Sequence, residues 1–357
     1  MVYLPHFLAL NGHIQAFIYC WIELLQVKLR QPLKYDRELF KLSDGGTIAL
    51  DWHIDNETGG GRPSMGGKRM PILALISGLS GGNDNLYLYS MIRMASAAGF
   101  KCVVINFRGA SGVQLTSGLI YWMNLWQDLK EPIDYIHSKY CLLDGQKVRR
   151  IYAYGVSLGA SLLVSYLQNE SSKCPLDGAC SFGAPYNLQD NVPYFKQNGF
   201  KFYDFSMGHF FYKSALEPKL QELSSYVEPE KLENFQRRLY QHRFSMMDMD
   251  QNAIIPFFGY QGTHGLNEYY RNTQAVGRLH LIKVPTLFLN AEDDPCYNPE
   301  LYPYKEFEGA SDHIVLAMTK RGGHCCHLSG GLWPVQWQPS VFMEFLEYIE
   351  RIKVKGD

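Results

Sequence analysis

The chain has 357 residues, with 34 Lys and Arg against 35 Asp and Glu, a formal net charge of −1 and a pI near 6.8. Without a basic tail or a lysine- and arginine-rich run, that balance gives no electrostatic case for nucleic acid. The length suits one large α/β unit with a substantial buried interior. Eight cysteines, at positions 20, 102, 141, 174, 180, 296, 325 and 326, lack the tight spacing of a small disulfide scaffold. They read as reduced thiols of a protein that is cytoplasmic or held peripherally at a membrane.

Near the start, residues 16–25 (AFIYCWIELL) are apolar and aromatic but are interrupted by Glu23. The run falls short of the ~20 residues that span a bilayer. It also lacks the basic region and small-residue cleavage site of a signal peptide. Two readings follow: a segment packed on the core, or a shallow interfacial anchor at a lipid surface. The polar glycine stretch at 59–67 is expected to be a loop with no phosphate role, because no helix N-terminus follows it. Residues 71–76 (PILALI) read as a buried strand from their continuous apolar run. The glycine-rich turn at 77–82 follows, and such a turn lets main chain approach a substrate closely.

Residues 150–154 (RIYAY) read as a strand and 160–167 (ASLLVSYL) as a helix; between them stands Gly155-Val156-Ser157-Leu158-Gly159. A serine forced onto a sharp strand-to-helix turn needs small residues two before and two after it, where any side chain would strike the neighbouring strand or helix. The turn projects Ser157 Oγ outward, and the helix behind it aims N–H groups at any oxyanion formed there. The predicted oxyanion donors are the backbone N–H groups of Leu158 and, from the earlier glycine-rich turn, Leu79.

From 186 to 280 the composition shifts toward Tyr, Phe, Met, Lys and Gln, with helical patterns around 214–226 and 229–241 and no continuous β-branched run. This predicts a helical cap inserted over a core made of 1–185 and 281–357. Met246, Met247, Met249, Phe257 and Phe258 are candidates to line an apolar pocket beneath it, or simply to pack.

A serine of this kind calls for an acid and then a histidine later in the chain. Residues 284–291 (VPTLFLNA) read as a parallel strand that exits into Glu292-Asp293-Asp294-Pro295. This puts carboxylates at the carboxyl end of a strand, where α/β folds hold their sites. Asp294 is the predicted acid, because a residue before proline is biased toward an extended conformation. Asp293 is expected to cap or to stay solvated. Residues 312–319 read as a further strand that runs into Lys320-Arg321-Gly322-Gly323-His324, which delivers His324 to the same edge. The imidazole would take the Ser157 proton while the carboxylate fixes its tautomer. His324-Cys325-Cys326-His327 offers four metal-ligating side chains in a row, yet contiguous residues do not wrap one tetrahedral ion easily. No metal and no cofactor are expected, and Cys325 and Cys326 are expected to pack or to line the site.

Taken together, these residues resemble the AB hydrolase type 4 family of lipid esterases over nearly the whole chain. Asn11-Gly12-His13-Ile14-Gln15 is similar to the family's N-terminal NGHxQ segment, and residues 44–52 to its DGGxxxLDW strand pair. Asn106-Phe107-Arg108-Gly109 and Glu268-Tyr269-Tyr270-Arg271 also match. Residues 290–295 resemble NAxDDP, in which the second aspartate is the triad acid, and His324 occupies the place of the catalytic histidine in GGH. The chain departs from the family at Ser77-Gly78, where His-Gly is usual, and at Cys325-Cys326-His327-Leu328-Ser329, where an apolar run and an acidic residue are usual.

The resemblance implies an α/β-hydrolase fold, a mostly parallel sheet flanked by helices with an inserted cap. It also implies hydrolysis of medium- or long-chain acylglycerol or phospholipid esters, or acyl transfer to an alcohol as in some fungal members. The expected partner is a small-molecule lipid ester, with peripheral membrane contact open. A catalytically silent lipid-binding module on the same fold is the reading from outside enzymology.

Overall fold

Strand Ile151–Val156 is apolar on both faces, and alternate residues enter different layers. Ile151 and Ala153 join Ile72, Ala74 and Val103 in one buried cluster; Tyr152, Tyr154 and Val156 join Leu73, Leu75 and Val104 in another. Strands of this kind must be covered on both sides, which is the condition for a largely parallel sheet. The computed structural model describes residues 2–9, 11–29, 31–54, 61–63, 69–79, 82, 83 and 85–356. Most of the polar glycine stretch at 59–67, and Ser80 and Gly81 of the later glycine-rich turn, lie outside the described residues.

Eight strands form the central sheet: β1 (Tyr35–Lys41), β2 (Thr47–His53), β3 (Ile72–Ile76), β4 (Lys101–Asn106), β5 (Ile151–Val156), β6 (Gly178–Phe182), β7 (Thr286–Ala291) and β8 (Ile314–Thr319). Their order is β1-β2-β4-β3-β5-β6-β7-β8. All neighbours pair in parallel except the β1–β2 and β2–β4 pairs. The strand expected at 284–291 begins two residues later. Pro285 has no N–H for the ladder, although its carbonyl accepts the Ala179 N–H at 2.8 Å.

Helix α1 (Gly12–Leu29) precedes the sheet; α2 (Leu86–Ala97), α3 (Gln127–Ile136) and α4 (Leu158–Glu170) flank it. Between β6 and β7 come α5 (Leu188–Gln197), α6 (Phe202–Phe211), α7 (Pro229–His242) and α8 (Gly262–Thr273), and α9 (Gln338–Gly356) follows β8. Met91, Ile92 and Ala95 of α2 pack with Phe342 and Leu346 of α9 on one face of the sheet, while Leu129 and Ile133 of α3 pack with α4 on the other.

The segment 186–280 is helical, with one correction to the sequence reading. The pattern at 214–226 is not one helix but a π turn (Tyr212–Leu216), a 3-10 turn (Glu217–Lys219) and a short α turn (Leu220–Leu223). Pro218 removes a donor just where a continuous helix would need it. By contrast α7 keeps its proline at the first helical position, where no partner is needed, and buries Leu232, Phe235 and Leu239 along one stripe. Gln168 of α4 donates to the Ala275 carbonyl at 2.8 Å, tying the end of this segment back to the core.

The N-terminal segment is packed on the core along one face of α1 and exposed along another. Tyr19 and Ile22 are buried against Leu86, Cys326 and Leu328, whereas Phe17 and Trp21, one turn apart, are exposed. Among the described residues, no helix is long and apolar enough to cross a membrane.

Candidate active site

Ser157 sits between β5 and α4 at φ 52°, ψ −117°, a conformation that costs a non-glycine residue about 1–3 kcal/mol. The surroundings over-determine it. Its N–H donates to the Phe182 carbonyl at 2.8 Å, and its carbonyl accepts the Ser161 N–H at 3.0 Å. A Cβ on Gly155 would stand 2.8 Å from the Gly159 carbonyl oxygen, and one on Gly159 would stand 2.2 Å from that of Ser77. The two glycines are therefore required by close approach, as the sequence pattern demands.

The loop after β8 brings His324 to this turn, and the loop after β7 brings Asp294. Ser157 Oγ lies 2.8 Å from His324 Nε2, and His324 Nδ1 lies 2.8 Å from Asp294 Oδ2. Carboxylate oxygens accept, so Nδ1 carries the proton and Nε2 is left to accept from the serine hydroxyl. Asp294 is almost fully buried and is held by the Cys296 N–H, which donates to Oδ1 at 2.7 Å. Burial pulls the His324 imidazole down, but the charge and hydrogen bond of Asp294 outweigh it and leave the ring above its usual value.

Asp293 takes the capping role of the two foreseen for it: its Oδ1 accepts the Gly323 N–H at 2.9 Å, pinning the residue before His324. Burial pushes its carboxyl up despite that bond. The same junction holds the start of α1, since a Cβ on Gly323 would stand 2.7 Å from the Gly12 carbonyl oxygen.

Leu158 opens α4, so its N–H belongs to a helix N-terminus beside Ser157. On the other side, a Cβ on Gly78 would stand 3.3 Å from Ser157 Cβ, which sets the loop after β3 directly against the serine. The substituted loop residue Ser77 is buried and engaged: its Oγ is 3.0 Å from the Tyr87 hydroxyl and accepts from Asn85 Nδ2 at 3.1 Å. Gly78 N–H donates to that tyrosine oxygen at 3.2 Å. Tyr87, which sequence reasoning missed, is thus the support of this loop.

No protein-family model matches the chain. Individual relatives do. The chain is 28% identical over 339 residues to phospholipase ABHD3 of Homo sapiens, covering 92% of this chain and 77% of that protein. It is 28% identical over 261 residues to monoacylglycerol lipase of Saccharomyces cerevisiae, covering 71% of this chain and 54% of the relative. A solved esterase of Pyrococcus furiosus superposes with a TM-score of 0.50 over 90% of this chain and 89% of its own, at 14% identity, a likeness of fold.

The chain has an α/β-hydrolase fold. Several of its relatives are named as lipases, phospholipases or esterases, and it is a carboxylic-ester hydrolase.

In this hydrolase a cavity opens over Ser157 and His324 at the carboxyl edge of the sheet. Leu79, Trp122 and Leu158 line it from the core, and Leu188, Phe195, Met207, Met246 and Met247 line it from the helical segment. Met249 and Phe257, the other candidates from sequence, are instead buried in the packing of that segment, Phe257 with its ring stacked 4.2 Å from that of Phe235. Phe258 packs partly buried against the same core. Cys325 and Cys326 pack beneath the histidine, with Cys325 Sγ against the Phe182 carbonyl. Among the described residues, the side chains close enough to share a metal ion are Asp294, Cys296 and His324, and two of these are already hydrogen-bonded to each other.

Proposed function

We propose that the hydrolase cleaves lipid-type esters, medium- or long-chain acylglycerols or phospholipids, through Ser157, His324 and Asp294. The observation that carries this reading is the unbroken chain of hydrogen bonds, Ser157 Oγ to His324 Nε2 and His324 Nδ1 to Asp294 Oδ2, at the wall of an apolar cavity. Ser157 Oγ attacks the ester carbonyl carbon while His324 takes its proton, and the oxyanion is held by the N–H groups of Leu158 and Leu79. Each such donor is worth about 3 kcal/mol in the transition state. His324 then returns the proton to the leaving alcohol, and water, activated by the same ring, releases the acid from the acyl-enzyme. No cofactor enters these steps. Acyl transfer differs only in admitting an alcohol at the second stage.

Residues 186–280 act in this reading as a cap over a core of 1–185 and 281–357, excluding water and presenting the acyl pocket. The exposed Phe17 and Trp21 of α1 support a peripheral contact with lipid. His13 Nδ1 lies 2.7 Å from the Tyr203 hydroxyl, which joins α1 to α6, where Phe202, Phe205 and Phe210 are also exposed.

The test is hydrolysis of a chain-length series of p-nitrophenyl esters by the purified protein and by Ser157→Ala. The variant is expected to lose a factor of about 10³ or more in kcat. Equal, negligible rates in both proteins would favour the lipid-binding module.

A further inference from the structure

The cavity contains a carboxyl group that the hydrolytic steps leave unused. Asp250, only 3% exposed, lines the same cavity as Ser157, at the start of the π turn Asp250–Ile254. Trp122 Nε1–H donates to its Oδ1 at 2.9 Å. Tyr270 also lines the cavity, and its hydroxyl accepts from Gln251 Nε2 at 3.1 Å. Burial pushes Asp250 up to about 7, against the pull of Trp122 and Tyr270 nearby. A buried carboxyl in a wall of Met, Leu and Phe side chains is costly to keep. Fixing Trp122 and Tyr270 is one use for it; its place on the cavity wall offers another.

The charge of the cavity narrows what that use is. Among the described lining residues there is no lysine or arginine, and the groups able to carry charge near neutrality are Asp250, Asp294 and His324. A phosphate drawn inside would meet two carboxyls and no fixed cation. A substrate hydroxyl, by contrast, has a proton for the carboxylate and a lone pair for a neighbouring donor.

Building on the ester-hydrolase reading above, we propose that Asp250 and Tyr270 form a substrate-binding pair that hydrogen-bonds a hydroxyl group carried by the ester, selecting neutral hydroxylated esters over anionic ones. The hydroxyl belongs either to the alcohol part, as in a monoacylglycerol, or to the acyl chain, and the substrates in the test tell the two apart.

The experiment measures kcat/KM of the full chain, of Asp250→Asn and of Tyr270→Phe on 1-decanoylglycerol, ethyl decanoate, ethyl 10-hydroxydecanoate and the 3-phosphate of 1-decanoylglycerol. The wild type is expected to prefer at least one hydroxylated ester over ethyl decanoate by about ten-fold or more, and to be slowest on the phosphate ester. Asp250→Asn should bring that preference close to unity, with Tyr270→Phe between. Because the preference is a ratio, it does not depend on how much of a variant is folded, and a purely structural role would lower all rates together. A wild-type ratio near unity, a ratio unchanged in both variants, or fastest turnover of the phosphate ester overturns the proposal. p-Nitrophenyl ester turnover that persists in the wild type and vanishes in Ser157→Ala marks that failure as one of the Asp250 assignment alone. No turnover of any ester overturns both readings.

Discussion

Gly159 and Ser77 are held so close that a methyl group on the glycine would stand 2.2 Å from the serine's carbonyl oxygen, with the Ile76 carbonyl oxygen 2.7 Å away. Both obstacles are main chain of β3 and its exit loop, so neither can rotate aside. Gly159→Ala is expected to cost about 1–3 kcal/mol in denaturant unfolding. Because the carbonyl that must yield belongs to the loop carrying Leu79, kcat should fall even in the fraction that remains folded. A variant with wild-type stability and rate would show that the loop moves freely.

The pH profile follows from His324. In the proposed mechanism hydrolysis needs the ring neutral at Nε2, and Asp294 raises its pKa above the usual 6.5 against the downward pull of burial. The ascending limb of kcat/KM should therefore be centred above 6.5. Asp294→Asn removes what raises the ring and leaves burial, so the limb should move to lower pH while kcat drops by about 10⁴ through loss of the correct tautomer. A limb that stays in place would mean that another group titrates.

Asp250 makes stability itself depend on pH. From its ordinary 3.8 its carboxyl is pushed up to about 7, so between these values the folded state keeps a proton that the unfolded chain has released. The folded state binds more protons in that window, and stability must fall as pH rises through it. Equilibrium unfolding of wild type and Asp250→Asn from about pH 4 to pH 7 should show the wild type losing up to about 4 kcal/mol relative to the variant. Parallel curves would contradict this.

Phe17 and Trp21 are 75% and 57% exposed on one face of α1. Replacing both with serine should leave the turnover of short soluble esters within about two-fold, since surface changes of this kind seldom perturb a fold. Sedimentation with phosphatidylcholine vesicles should fall several-fold. Undiminished sedimentation would assign the lipid contact elsewhere.

What the sequence disclosed was what local geometry dictates. The spacing of Gly155, Ser157 and Gly159 is set by a turn of five residues, and Asp294 and His324, which the structure brings to that turn, follow strands whose apolar runs are plain. Contacts made by the folded whole were hidden. Tyr87 reaches the Ser77–Gly78 loop only because α2 passes beneath it, and Asp250 meets Trp122 across 128 positions of chain. Asp250 stands in the stretch MMDMDQNAII beside a second aspartate, Asp248, and nothing local distinguishes the buried one from its neighbour. The helix expected at 214–226 is broken into short turns because Pro218 interrupts an otherwise helical pattern of apolar residues. Met249 and Phe257 share their composition with Met246 and Met247, and which of them face a cavity depends on how short helices are rotated, which composition does not record.

The junction of Gly12, Asp293 and Gly323 also bears on the order of assembly. The N-terminal residues close a ring with the histidine loop: His6 N–H donates to the Leu328 carbonyl at 2.8 Å, and Gln15 Oε1 accepts the Leu328 N–H from 313 positions away. Such distant partners meet late, since the entropy of closing the loop between them is spent before the contact repays it. The sheet and the serine turn can form while His324 is still unseated. In refolding, hydrolytic activity should therefore lag behind the recovery of secondary structure, with closure of residues 6–15 onto the histidine loop as the step that switches the enzyme on.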